Sequence, residues 1–143
     1  MTLLPILLVE DNRQDELLIL RALGKVNLSN RVVVARDGQQ ALDYLLDPEA
    51  PLPVVVLLDL GLPRVGGLEV LQRLRAQART RLLPVVILTS SDEDRDLVAG
   101  YQLGANSFVQ KPVHFASFAE TVASLGTYWA LVNRPPTQGG ATS

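Results

Sequence analysis

The stretch VVVLLDLGLP, residues 54–63, decides the fold. Its first five residues, 54–58, are all Val or Leu, a run too short for a helix and without a polar face, as expected of a strand covered on both sides in a parallel sheet. The run stops at Asp59 and turns through Gly61-Leu62-Pro63. Working outward, short apolar runs of the same kind recur at 6–9, 32–35, 84–88 and 107–109. Between them lie segments with apolar residues at helical spacing. Residues 15–23 carry Leu17, Ile19, Leu20 and Leu23, with Gly24 as a stop signal; 38–46 carry Ala41, Leu42, Leu45 and Leu46; 67–77 carry Leu68, Leu71 and Leu74. Residues 92–103 follow Ser91, with Asp94 in an acidic analogue of a capping box, and 115–131 form the last helical segment.

Five βα units in series require a parallel sheet between helices, joined by right-handed crossovers. The expected fold class is α/β, a flavodoxin-like doubly wound five-stranded parallel sheet of order 2-1-3-4-5 with helices on both faces. In that order the functional crevice lies beyond the carboxyl ends of strands 1 and 3. The expected division is one domain over 1–132 and a flexible tail over 133–143, which holds Pro135-Pro136 and Gly139-Gly140.

Composition narrows the function. A chain of 143 residues, 48% hydrophobic and 20% charged, fits one globular domain with a single core. Thirteen basic against fifteen acidic residues, without a basic cluster, argue against direct binding of nucleic acid. The absence of cysteine excludes disulfides, zinc-thiolate sites and thiol catalysis, and a reducing, cytoplasmic compartment is expected. The amino terminus reaches Glu10-Asp11 too soon for a signal peptide, and no apolar run approaches the roughly 18 residues of a membrane span.

Polar residues gather at the strand ends: Glu10-Asp11 after strand 1, Asp59 after strand 3, Thr89-Ser90 after strand 4 and Lys111-Pro112 after strand 5. Each alone has an ordinary reading, Asp11 as a helix N-cap, Asp59 as a turn former and Lys111 as a solvated side chain. Together the topology brings them to one edge. Two carboxylates about 4 Å apart repel by roughly 4 kcal/mol at an effective dielectric of 20, so a positive charge belongs among them. With oxygen ligands only and no His or Cys cluster, that charge is a hard cation, Mg²⁺.

With these residues in order, the sequence resembles a receiver domain of two-component response regulators over about residues 5–125, through Glu10-Asp11, Asp59, Thr89-Ser90, Gly104-Ala105 and Lys111-Pro112. The resemblance implies that Asp59 is the phosphoacceptor, taking a phosphoryl group from a sensor histidine kinase, with Asp59, Lys111 and Thr89 as the catalytic set. It implies a Mg²⁺ site made by Asp11, Asp59 and the Gly61 carbonyl, with Glu10 acting mainly through water. Thr89 and Phe108 become the switch pair, and the protein phosphorylates and dephosphorylates itself at Asp59 without turning over a separate substrate.

Gly61, two residues after Asp59 where the family often has a polar side chain, and Ser91, two residues after Thr89, offer no carboxylate or amide to orient an attacking water. Phe108, not Tyr, at the switch position can form no phenolic hydrogen bond. His114 reads as a solvated residue near the start of the last helix. No output domain is expected after residue 132, so the signal passes through a partner. The segment 25–32, the stretch 106–113 and the end of the last helix with Tyr128-Trp129 resemble single-domain regulators associated with bacterial phytochromes. That narrower resemblance implies a light-sensing kinase as donor and a homodimer, with Tyr128, Trp129 and Leu131 at the interface.

Rival readings are an aspartyl-phosphate phosphatase of haloacid dehalogenase type, a flavodoxin, and a receiver-like adaptor that is never phosphorylated. The first needs an acid where Gly61 stands, the second a phosphate-cradling loop where Glu10-Asp11 stand, and the third leaves the acid cluster unexplained.

Overall fold

The structure is a computed structural model and describes residues 4–25, 30–62, 64–89, 102–105 and 107–110. The elements are β1 (Ile6–Val9), α1 (Arg13–Lys25), β2 (Val32–Ala35), α2 (Gly38–Leu45), β3 (Val55–Asp59), α3 (Gly67–Arg75), β4 (Val85–Thr89) and β5 (Ser107–Gln110). The five strands form one sheet in the order β2-β1-β3-β4-β5, with every pair parallel, as the sequence predicts. The helical segments expected at 92–103 and 115–131 and the tail at 133–143 lie outside the described residues, apart from 102–103.

Every residue of β1 and β3 is buried, as their unbroken apolarity requires, whereas the edge strand β2 is only half covered over Val32, Val33 and Val34. Alternate residues serve opposite faces. Ile6, Leu8, Val55, Leu57, Val86 and Leu88 pack with Ile19, Ala22 and Leu23 of α1. Leu7, Val9, Val56, Leu58, Val85 and Ile87 pack with Ala41, Leu42 and Leu45 of α2 and with Val70, Leu71 and Leu74 of α3. Each fully buried Leu or Ile contributes roughly 1.5–3 kcal/mol, which makes register the best-determined feature of the sheet, since a slip of one residue exchanges its two faces.

Several element boundaries differ from the sequence reading by one or two residues. Helix α1 begins at Arg13 because Asn12 caps it, its side chain accepting the Asp15 N–H at 2.9 Å, and it passes through the exposed Gly24 to Lys25. Strands β3 and β4 each end one residue later than the apolar runs, because the ladder continues through Asp59, paired with Leu88, and Thr89, paired with Gln110.

At the opposite end of the sheet, two arginines fasten the loops. The Arg75 guanidinium, its pKa lowered by burial, donates to the carbonyls of Thr80, Arg81, Leu83 and Gly104 at 2.7–3.3 Å. Arg79 donates to those of Pro48 and Ala50 at 3.0 and 2.6 Å.

Candidate functional site

Neighbouring strands place the acids. Val9 of β1 pairs with Leu58 of β3, so the residues that follow, Glu10 and Asp59, emerge side by side. Carboxylate oxygens of Glu10, Asp11 and Asp59 all lie within 4.8 Å of one another. Glu10 and Asp59 are buried and Asp11 faces water, so the cluster forms the floor and rim of an open site.

The backbone orients each acid. The Glu10 N–H donates to the Ala35 carbonyl at 2.9 Å, and its Oε2 accepts the Asn12 N–H at 3.2 Å. Because Asn12 takes the N-cap role, Asp11 is released from it and projects outward. Asp59 Oδ1 accepts the Gly61 N–H at 3.1 Å, which fixes the plane of that carboxylate. Gly61 itself is exposed and lies directly beside Asp59.

The donor set fits a hard divalent cation. Two oxygens bound to one Mg²⁺ at about 2.1 Å are at most about 4.2 Å apart, so oxygens within 4.8 Å need only small side-chain rotations to share an ion. At that separation two carboxylates repel by about 3.5 kcal/mol at an effective dielectric of 20, which a cation relieves. Among the described residues this is the one group of three or more such ligands, and it contains neither His nor Cys.

The remaining expected residues are placed in part. Thr89 closes β4 at the same edge of the sheet. Phe108 lies on β5 opposite Ile87, half-buried, and packs on the face covered by α2 and α3. Lys111, Ser90, His114, Tyr128, Trp129 and Leu131 lie outside the described residues. Sequence reasoning missed the N-cap of Asn12, although Asn immediately before a helical run is a recognisable start signal. It also missed the contacts of Asp37 and Gly38 with the loop after β3, which no local pattern announces.

The fold and its acid cluster are those of a receiver architecture, and the comparisons agree. The chain belongs to the response regulator receiver domain family, whose family model matches residues 6–123. Among curated proteins, it is 44% identical over 134 residues to "Probable methanogenesis regulatory protein FilR2" of Methanothrix harundinacea, covering 92% of this chain and 86% of that one. It is 31% identical to response regulator Rcp1 of Synechocystis, covering 87% of each chain. Among solved structures, the bacteriophytochrome response regulator AtBRR is 53% identical with a TM-score of 0.80, covering 94% of this chain and all of that one (100%). The bacteriophytochrome response regulator RtBRR is 51% identical with a TM-score of 0.82, covering 95% of this chain and 86% of that one. The Mn(2+)-bound form of Rcp1 is 30% identical with a TM-score of 0.76, covering 94% and 99%.

Proposed function

We propose that the protein is a phosphoryl-accepting switch of a two-component pathway in which Asp59 is the acceptor. The observation that carries this reading is the convergence of Glu10, Asp11 and Asp59 within 4.8 Å at the carboxyl edge of a receiver-type sheet. An Asp59 carboxylate oxygen attacks the phosphorus of a phosphohistidine; the new O–P bond forms as the P–N bond breaks, and the imidazole leaves with the electron pair. Asp11, Asp59 and the Gly61 carbonyl would hold Mg²⁺, with Glu10 supporting it through water. When bound, the ion offsets negative charge on the transferring phosphoryl group. The Gly61 N–H holds the attacking carboxylate in place, and the adjacent Glu10 and Asp11 make the bare site repel phosphate. Lys111 pairs with a phosphoryl oxygen, Thr89 donates a hydroxyl hydrogen bond to another, and the resulting movement is read at Phe108. The direct test is mass spectrometry of the intact protein and its peptides after incubation with acetyl phosphate and Mg²⁺. A phosphoryl group on Asp59 is expected, and one found only on another residue overturns the assignment.

The donor is a sensor histidine kinase, and likeness to two bacteriophytochrome response regulators at 53% and 51% identity favours a light-sensing one. A docking place follows from exposure. Leu17 and Leu18 on α1 are 48% and 38% exposed, and the helix begins two residues after Asp11, so an apolar surface lies on the helix that follows the acid cluster. Leu17→Asp is expected to slow transfer from the cognate kinase about fivefold to tenfold relative to labelling by acetyl phosphate, the scale of one interface contact. Equal slowing with both donors removes α1 from the docking surface.

The domain spans 1–132 with a tail over 133–143, and the protein acts in the cytoplasm; among the described residues no helix is long and apolar enough to cross a membrane. It works as a homodimer joined through Tyr128, Trp129 and Leu131, whose burial would contribute roughly 1.5–3 kcal/mol for each large apolar group. Sedimentation of the full chain against one truncated after Gly126 is expected to show a dimer and a monomer. Identical behaviour of the two places the contact elsewhere.

A further inference from the structure

The sheet ladder fixes where Glu10 and Asp59 leave β1 and β3, but the loops beyond them, which carry Asp11 and Gly61, lie off the sheet and need lateral support. The short junction between β2 and α2, residues 36–37, together with Gly38 at the start of α2, touches both sides. Toward α1, the Arg36 guanidinium donates to both carboxylate oxygens of the buried Glu16, the second bond at 3.4 Å. Glu16 lies in the first turn of α1, its N–H donating to the Asn12 carbonyl at 2.9 Å, and Asn12 in turn donates to Glu10. Toward β3, Asp37 Oδ2 lies 3.7 Å from Arg64 Nε, and the Val65 carbonyl oxygen sits 1.9 Å from where a side chain at Gly38 would begin. Arg64 and Val65 belong to the same β3–α3 loop as Gly61, and Arg64 holds a positive φ of 67° there, a backbone form that L side chains rarely adopt.

The junction is itself stiff. Asp37 caps α2 by accepting the Gln40 N–H at 2.8 Å, and Gln40 returns the contact by accepting the Arg36 N–H at 2.8 Å. A rigid helix start thus holds one arm on the first turn of α1, which bonds back through Asn12 to Glu10, and the other on the loop after β3. Glu16 and Asp37 do not belong to the acid cluster, so neither is needed there as a ligand.

We infer that Arg36-Asp37-Gly38 is a positioning brace for the cation site, setting the separation between the Glu10-Asp11 loop and the Asp59–Gly61 loop. This rests on the reading of those acids as a Mg²⁺ site. Residues 36–38 touch no reacting atom; they act through the loops, as outer contacts of metal sites do, where a substitution typically costs about 10–100-fold in affinity.

The test titrates isotope-labelled protein with MgCl₂ and follows the amide resonances of Asp59 and Gly61. Gly38→Ala, which pushes directly on the Val65 carbonyl, is expected to weaken Mg²⁺ binding about tenfold or more. Asp37→Asn keeps the N-cap and removes only the charge facing Arg64, so about a threefold loss is expected, within the range of a partly exposed contact. In metal-free protein both substitutions should speed hydrogen exchange of the Gly61 N–H, which bonds Asp59. Val32→Ala on the half-buried edge strand is the control for general destabilisation and should leave Mg²⁺ affinity at the wild-type value. If Gly38→Ala does not fold, Asp37→Asn carries the test through affinity and exchange together. Wild-type binding with undiminished affinity in both variants overturns the brace alone, as does an equal loss in Val32→Ala. Absence of Mg²⁺-dependent shifts at Asp59 and Gly61 in the wild type overturns the cation reading beneath it.

Discussion

Asp59→Asn is expected to reduce labelling by acetyl phosphate to background while the protein stays folded. The amide is nearly the same size as the carboxylate, and its oxygen can still accept the Gly61 N–H that Asp59 Oδ1 accepts at 3.1 Å, so the loop after β3 keeps its anchor. What is lost is the anionic oxygen proposed to attack phosphorus, and an amide oxygen is a far weaker nucleophile. The substitution also removes one of three negative charges within 4.8 Å, so the thermal midpoint should equal or exceed that of the wild type. Chelating Mg²⁺ in the wild type should give the same loss of labelling through the other half of the site. Undiminished labelling of the asparagine variant would falsify Asp59 as acceptor, whereas a collapsed midpoint would assign the loss to folding.

That the candidate site residues gather at a few strand ends was legible because position in a parallel sheet follows from topology. The runs at 6–9 and 54–58 are apolar throughout, which requires cover on both faces, and the order 2-1-3-4-5 then sets Glu10 and Asp59 next to each other. Periodicity served less well at element ends. Reading apolarity alone stops β3 at Leu58, although hydrogen bonding ignores side-chain polarity and carries the strand through Asp59. The reading of 15–23 as a helix waited for the first apolar residues and overlooked Asn12, whose side chain starts α1 two residues earlier.

Contacts between distant segments were not legible. Nothing local to Arg64 predicts an ion pair with Asp37, and nothing local to Arg75 predicts that it gathers the carbonyls of Thr80, Arg81, Leu83 and Gly104. Such contacts form once the sheet has already brought the loops together, and their partners are backbone groups or long side chains that carry no periodic signal. In this protein the sheet brings the candidate site residues to one edge, whereas contacts such as Asp37–Arg64 and Arg75–Gly104 join segments far apart in sequence.

The adjacent glycines at 66 and 67 make the same distinction measurable, because they look alike in sequence and have opposite surroundings. At Gly66 no atom lies within 4 Å of where a side chain would begin, and its φ of -68° and ψ of 159° suit any N-cap residue. Gly66→Ser should therefore be neutral or stabilise by a few tenths of a kcal/mol, since a serine hydroxyl can cap α3. At Gly67 the same added carbon would lie 2.4 Å from the Asp59 carbonyl oxygen and 2.8 Å from the Leu60 Cα. Both are backbone atoms at the end of a buried strand, so no side-chain rotation relieves the clash, and α3 must retreat by roughly 1 Å. Forced overpacking of this kind costs about 1–3 kcal/mol, which lowers the thermal midpoint by roughly 2–12 °C for a domain near this size. Because the pressure falls on the carbonyl of Asp59 itself, Gly67→Ala should also slow labelling by acetyl phosphate at temperatures where it remains folded, whereas Gly66→Ser should not. A Gly67→Ala midpoint within about 1 °C of the wild type would show that α3 does not close on β3 as tightly as the 2.4 Å approach requires.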